Sequence, residues 1–128
     1  MRVLITQSML FPWVGLLEQV RMADVIVHYD DVQFSKGSFV NRVQLKMADG
    51  PKWMTVPLAK FPLGQTIETV SVSSDPRWPL EHMAMLERSL GEAPHATDAR
   101  ALLESVYQTR HETIGPLARA SFVAVINY

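Results

Sequence analysis

Val3–Arg42, VLITQSMLFPWVGLLEQVRMADVIVHYDDVQFSKGSFVNR, carries the pattern from which the α/β class follows. It opens on a short apolar run, Val3-Leu4-Ile5, and breaks into a polar turn at Thr6, Gln7 and Ser8. The stiff sequence Phe11-Pro12-Trp13 follows. From Gly15 to Ala23 the spacing of Leu16, Leu17, Val20 and Met22/Ala23, with Glu18, Gln19 and Arg21 between them, predicts a short amphipathic helix. A second apolar run, Val25-Ile26-Val27, ends at the acid pair Asp30-Asp31. Strand, turn, helix, strand is the order of a βαβ unit, which puts the two strands side by side and parallel. The strand ends carrying Gln7/Ser8 and Asp30/Asp31 would then share one edge, the edge at which open α/β sheets bind ligands.

Outward from this unit the pattern changes. Val43, Leu45 and Met47 alternate with Arg42, Gln44 and Lys46; after Ala48-Asp49-Gly50 the alternation resumes at Met54, Val56 and Leu58, which predicts a β-hairpin. Ile67, Val70 and Val72 suggest one more short strand. Asp75-Pro76 or Pro79 opens a helix whose Leu80, Met83, Leu86 and Leu90 share a face and which Gly91 closes. Leu102, Leu103, Val106 and Tyr107 mark another helix, and Gly115-Pro116 begins the last. That last segment, through Ser121-Phe122-Val123-Ala124-Val125-Ile126, is apolar nearly all round and so demands cover on every side. The expected class is α/β: a βαβ start with a parallel strand pair, a hairpin insert and C-terminal helices, in one domain spanning residues 1–128.

Bulk properties bound the function. A chain of 128 residues with 48% hydrophobic and 20% charged residues is ordinary for a soluble globular domain. A net charge of −1 argues against a general nucleic-acid binder. The absence of cysteine removes disulfides and thiolate metal sites and fits a reducing compartment, so the cytoplasm is the expected location. No apolar run approaches the ~18 residues a membrane-spanning helix needs, so no membrane insertion is expected.

Several residue groups have two readings. Asp30 and Asp31 would point to opposite faces of a continued strand, so that one carboxylate faces the cleft as a base, hydroxyl binder or ion ligand; alternatively the pair simply closes the strand. Gln7, Ser8 and Trp13 offer an amide, a hydroxyl and a flat ring suited to a sugar or nucleotide, although a tryptophan beside proline is equally a packing residue. Asn41-Arg42 with Lys36 and Lys46 is the anion-site candidate, since a guanidinium grips phosphate with paired N–H bonds; the alternative is a solvated hairpin face. His82 shares a helix face with Trp78, and His28 lies within the second strand. Either could be an acid/base group or a satisfied core histidine. No histidine pair has zinc spacing, and there is no P-loop, GxGxxG or GxSxG, so no metal site is assigned and no cofactor is named.

The ordered pieces TQSMLFPWVG, ADVIVHYDDVQF, Asn41-Arg42 with Lys46, Trp53-x-Thr55-Val56-Pro57, Trp78 with His82, and Glu92-Ala93-Pro94 resemble the WbqC-like family of bacterial proteins. The resemblance runs over most of the chain. Many members carry His then Gln-Pro after the first strand, where this chain has Thr6, Gln7 and Ser8. Members are usually longer, so the chain is expected to cover the N-terminal part of a longer family domain. The family is associated with surface-polysaccharide and O-antigen assembly. The resemblance therefore implies a small sugar or phosphorylated ligand and group transfer, with nucleotidyl transfer and its divalent ion as a variant. Lys36 and Arg42 would hold the anion, Asp30, Asp31 or His82 would act as acid or base, and Gln7 and Ser8 would place the acceptor. The alternative is a non-catalytic binding or assembly module, with homodimerisation through the apolar C-terminal helix.

Overall fold

A computed structural model describes residues 1–128. The chain runs β1 (Val3–Thr6), α1 (Val14–Met22), β2 (Val25–His28), β3 (Arg42–Met47), β4 (Gly50–Thr55), α2 (Trp78–Leu90), α3 (Ala96–Gln108) and α4 (Ile114–Ile126). β1 and β2 pair in parallel with Val3 opposite Val25 and Thr6 opposite His28. β3 and β4 form the antiparallel hairpin, Met47 opposite Gly50, and Ala48-Asp49 makes the two-residue turn between them. The mixed α/β class and the parallel start are as the sequence predicts. No helix is long and apolar enough to cross a membrane.

The structure departs from expectation in three places. Residues 67–72 form no strand. Their alternating apolar side chains are buried at Ile67 and Val70, but the backbone bonds to several different segments. The Ile67 amide donates to the Val32 carbonyl, that of Glu68 to Asp30, and that of Val72 to Glu112; the Ile114 amide donates back to Val70. The segment is a lace joining the exit of β2 to the start of α4. Secondly, Leu80 is exposed, in the first turn of α2, while His82 takes the buried position two residues on. Thirdly, α1 fully buries only Leu16; Leu17, Val20 and Ala23 are half-buried and Met22 is exposed, so its apolar stripe is only partly covered.

Two glycines have identifiable work. Gly91 ends α2 at φ +52°, a left-handed value that a side chain would resist. Gly115 lets α4 start hard against the lace, since a Cβ there would lie 3.0 Å from the Glu68 Cα. The main core gathers Leu10, Phe34, Val40, Val56, Ile67, Val70, Val106, Ile114, Leu117 and Ala118. Met54, Leu86 and Leu103 form a smaller centre between the hairpin and α2/α3. The apolar α4 finds most of its cover within the chain, burying Ile114, Leu117, Ala118, Ser121 and Phe122 and leaving Val123 and Ile126 at the surface.

Candidate functional site

The parallel pairing brings Ser8, two residues beyond β1, against His28, which ends β2, and Asp30, which follows it. The Ser8 amide donates to Asp30 Oδ1 at 2.8 Å, and the Ser8 hydroxyl donates to Asp30 Oδ2 at 2.6 Å. Because that hydroxyl proton is committed to a carboxylate, the 2.9 Å contact between His28 Nδ1 and Ser8 Oγ requires Nδ1–H as donor. The imidazole is thereby held with its proton on Nδ1. Nε2 is left with a free lone pair and no hydrogen-bond partner within the chain, on a residue that is half-buried. The ring packs edge-on against Phe122, centroids 5.1 Å apart. Burial pushes the His28 pKa below its ordinary value, Asp30 pulls it partly back, and Arg119 lowers it further. At neutral pH the group is an uncharged base.

Asp30 is 3% exposed and does not stand alone. Arg119, from α4, donates through Nη1 to Asp30 Oδ2 at 2.9 Å and through Nη2 to Glu68 Oε1 at 3.0 Å. Hydrogen bonding to Glu68 raises the Arg119 pKa, burial opposes, and the charges of Glu68 and Asp30 add to the rise. The lace positions Glu68 for this, its amide bonded to the Asp30 carbonyl. Neither Arg119 nor Glu68 stands out from local motif spacing. A usable signal was present in Arg119 all the same: it is the single charge in the otherwise apolar IGPLARASFVAVI, and such a charge must find a partner on folding. On its other side Arg119 lines an open cleft of about 480 Å³ with Ser105, Thr109 and His111.

The remaining predicted site residues fall into separate groups. Asp31 and Gln7 are exposed. Trp13 is 60% exposed, its ring lying over Gly15 so closely that a Cβ at that position would have to displace it. Asn41 is buried, its Nδ2 donating to the Val56 carbonyl at 3.0 Å while its own carbonyl accepts from the Val56 amide, which ties β3 to the chain after β4. Arg42 stacks on Trp53, 3.9 Å from guanidinium carbon to ring centre, and donates through Nη2 to the Gly37 carbonyl. Its buried Nε has no partner. Lys36 holds its ammonium 5.5 Å from the Phe61 ring centre and has no carboxylate partner. The arginine that meets the acid at the strand ends is thus Arg119, while Arg42 folds back on its own loop.

His82 has the opposite state to His28. Its Nε2 lies 3.0 Å from the Thr55 carbonyl, which only accepts, so Nε2 carries the proton and Nδ1 accepts from the Tyr107 hydroxyl at 2.7 Å. Both nitrogens are occupied and the residue is buried. Burial lowers its pKa, against the pull of the Thr55 carbonyl, and burial also raises that of Tyr107. The geometry makes His82 a pin between β4, α2 and α3. An apolar cavity of about 260 Å³ lies nearby, among Phe11, Leu45, Met54, Leu103 and Tyr128, away from the Ser8–Asp30 cluster. No three His, Asp or Glu side chains are arranged to hold a metal ion.

Comparison with known proteins adds the family. The chain is 31% identical over 130 residues to an uncharacterized protein of Mycobacterium tuberculosis, Rv1507c; the match takes in 99% of this chain and 55% of that relative. The chain therefore spans little more than half the length of the curated relative it matches. No solved structure gives a significant match. The family model described as the WbqC-like protein family matches residues 7–128, a range that includes Ser8, His28, Asp30, Glu68 and Arg119, and the chain belongs to the WbqC-like family.

Proposed function

We propose that the chain carries the acid/base half of an enzyme performing group transfer on an activated sugar or related phosphorylated metabolite, in bacterial surface-polysaccharide assembly. The observation that carries this reading is the fixed tautomer of His28, whose unprotonated Nε2 sits at the carboxyl edge of the parallel strands. That edge is the usual ligand position in open α/β sheets. As the acceptor oxygen bonds to the transferred group, its proton passes to Nε2. The bond to the phosphate leaving group breaks with its electron pair remaining on the phosphate. The imidazolium so formed is stabilised through Ser8 by the Asp30 carboxylate. Asp30 itself is the anchor and not the base, because both its oxygens already accept hydrogen bonds. Lys36, with its ammonium unpaired, is the residue to hold the anion, and Gln7, Asp31 and Trp13 supply exposed contacts for the sugar.

UDP-glucose and other nucleotide hexoses, titrated while the melting temperature is followed, test this reading. A saturating ligand should raise the melting temperature by several degrees, since occupancy at about 100 times Kd adds roughly 2.7 kcal/mol. Lys36→Ala should weaken that response. His28→Gln should keep the response yet cut product formation by roughly 100-fold or more. No response from any nucleotide sugar would remove the substrate class. A second reading, a non-catalytic binding or assembly module, is favoured by the saturation of Asp30 and the folded-back Arg42. Ligand response with no turnover, unchanged in His28→Gln, would select it.

A further inference from the structure

The β1/β2 pair is covered on one face only. Leu4, Thr6, Ile26 and His28 turn towards the chain's own interior, His28 against Phe122. On the other face the register sets Val3 beside Val25 and Ile5 beside Val27, and these four side chains are 49%, 43%, 64% and 42% exposed, respectively. Tyr29, next in the same alternation, is also exposed. Parallel strands occur almost only where both faces are covered, because crossover elements pack on each side. A contiguous row of exposed branched aliphatics on two such strands is an interaction surface. The sheet has only these two strands, so both outer edges also keep unpaired backbone groups.

We infer that in longer members of the family, such as the mycobacterial relative, this face seats an apolar layer supplied by the sequence outside the matched region. Two independent observations converge on that occupant. The face lacks the cover that its strand geometry requires, and the mycobacterial relative has 45% of its length outside the match, since 55% of it is covered. A second copy of this chain is the competing occupant. Its sheet would have to meet this one face to face, and nothing in the strand register selects that pairing.

The chain contains no cysteine, so Ile5→Cys and, separately, Val27→Cys each introduce a single thiol on this face. In the 128-residue chain both should react with Ellman's reagent at close to the rate of a free thiol, independent of protein concentration. In the intact mycobacterial relative, freed of any other cysteine, thiols at the two aligned positions should react at least 100-fold more slowly and recover the free rate in denaturant. Circular dichroism melts establish that each variant is folded before labelling. Fast labelling of both positions in the folded relative would overturn the inference, since the face would then be open in the longer domain. Slow labelling in the 128-residue chain that accelerates on dilution would overturn it in favour of a second copy.

Discussion

Two histidines, His28 and His82, each place Nδ1 within hydrogen-bond distance of a hydroxyl, and the two are in opposite states. Ser8 gives its proton to Asp30 and so must accept from His28. Tyr107 has no such acceptor and gives its proton to His82, whose Nε2–H is held by Thr55. The difference lies one bond beyond the imidazole: a carboxylate behind the hydroxyl reverses the proton order and frees the far nitrogen. His28 is left with reactive capacity at a strand edge, whereas His82 is closed in a core junction. Residue type and helix spacing are blind to this distinction, and hydrogen-bond partners decide it.

Asp30 is the position at which a substitution has the largest expected effect. Asp30→Ala strands the Ser8 amide and hydroxyl and leaves Arg119 with Glu68 alone. Urea unfolding should show a loss of about 3–5 kcal/mol, the range for removing one partner of a buried pair. A loss below about 1 kcal/mol would mean that Asp30 does not organise the cluster. His82→Ala should cost somewhat less, about 2–4 kcal/mol, from the void it leaves and from the orphaned Thr55 carbonyl and Tyr107 hydroxyl. His28→Gln, at a half-buried site with one hydrogen bond, should cost only about 1 kcal/mol by the same assay. Equal losses for the two histidine variants would erase the proposed contrast.

Acidification gives a gentler test. Both imidazoles have pKa values lowered in the fold by burial. Between the ordinary imidazole pKa near 6.5 and the lower folded values, the unfolded chain binds more protons than the folded one. Stability should therefore be full above about pH 6.5 and should fall as pH drops below it. Chemical denaturation from pH 7.5 to 5 should show this decline, with a smaller slope in His82→Leu. The smallest perturbation is none at all: nitrogen-15 correlation spectra at pH 7.5 should report the Nδ1–H tautomer for His28 and the Nε2–H tautomer for His82. The same tautomer at both would remove the free base from the strand edge.

Much of the architecture was legible along the chain because it is written in short-range periodicity. The alternating hairpin, the two aliphatic runs around an amphipathic segment and the glycine stop at Gly91 all follow from local rules. The site was legible by half. Ser8 and Asp30 were placed at one edge by the βαβ order, and they meet there. Arg42, from the same local stretch, reads as a holder of a ligand anion, and nothing in the sequence points to Arg119 as the partner of Asp30, because no periodicity links position 30 to position 119. Residues 67–72 differ from expectation for the same reason: buried branched side chains look like a strand, but strand status depends on what the backbone bonds to. His82 was weighed as acid or base on its helix face beside Trp78, yet Tyr107 and Thr55 come from other elements and occupy both its nitrogens.

Apart from the strand expected at residues 67–72, the order of strands and helices, the parallel start and the apolar demand of the last helix are written in the amino-acid sequence, since they depend on side-chain spacing and turn chemistry a few residues long. Which histidine keeps a free nitrogen and which arginine neutralises Asp30 are settled only when the chain folds. Those outcomes depend on groups tens of residues apart being brought within 3 Å, where a single carboxylate fixes the direction of every proton around it.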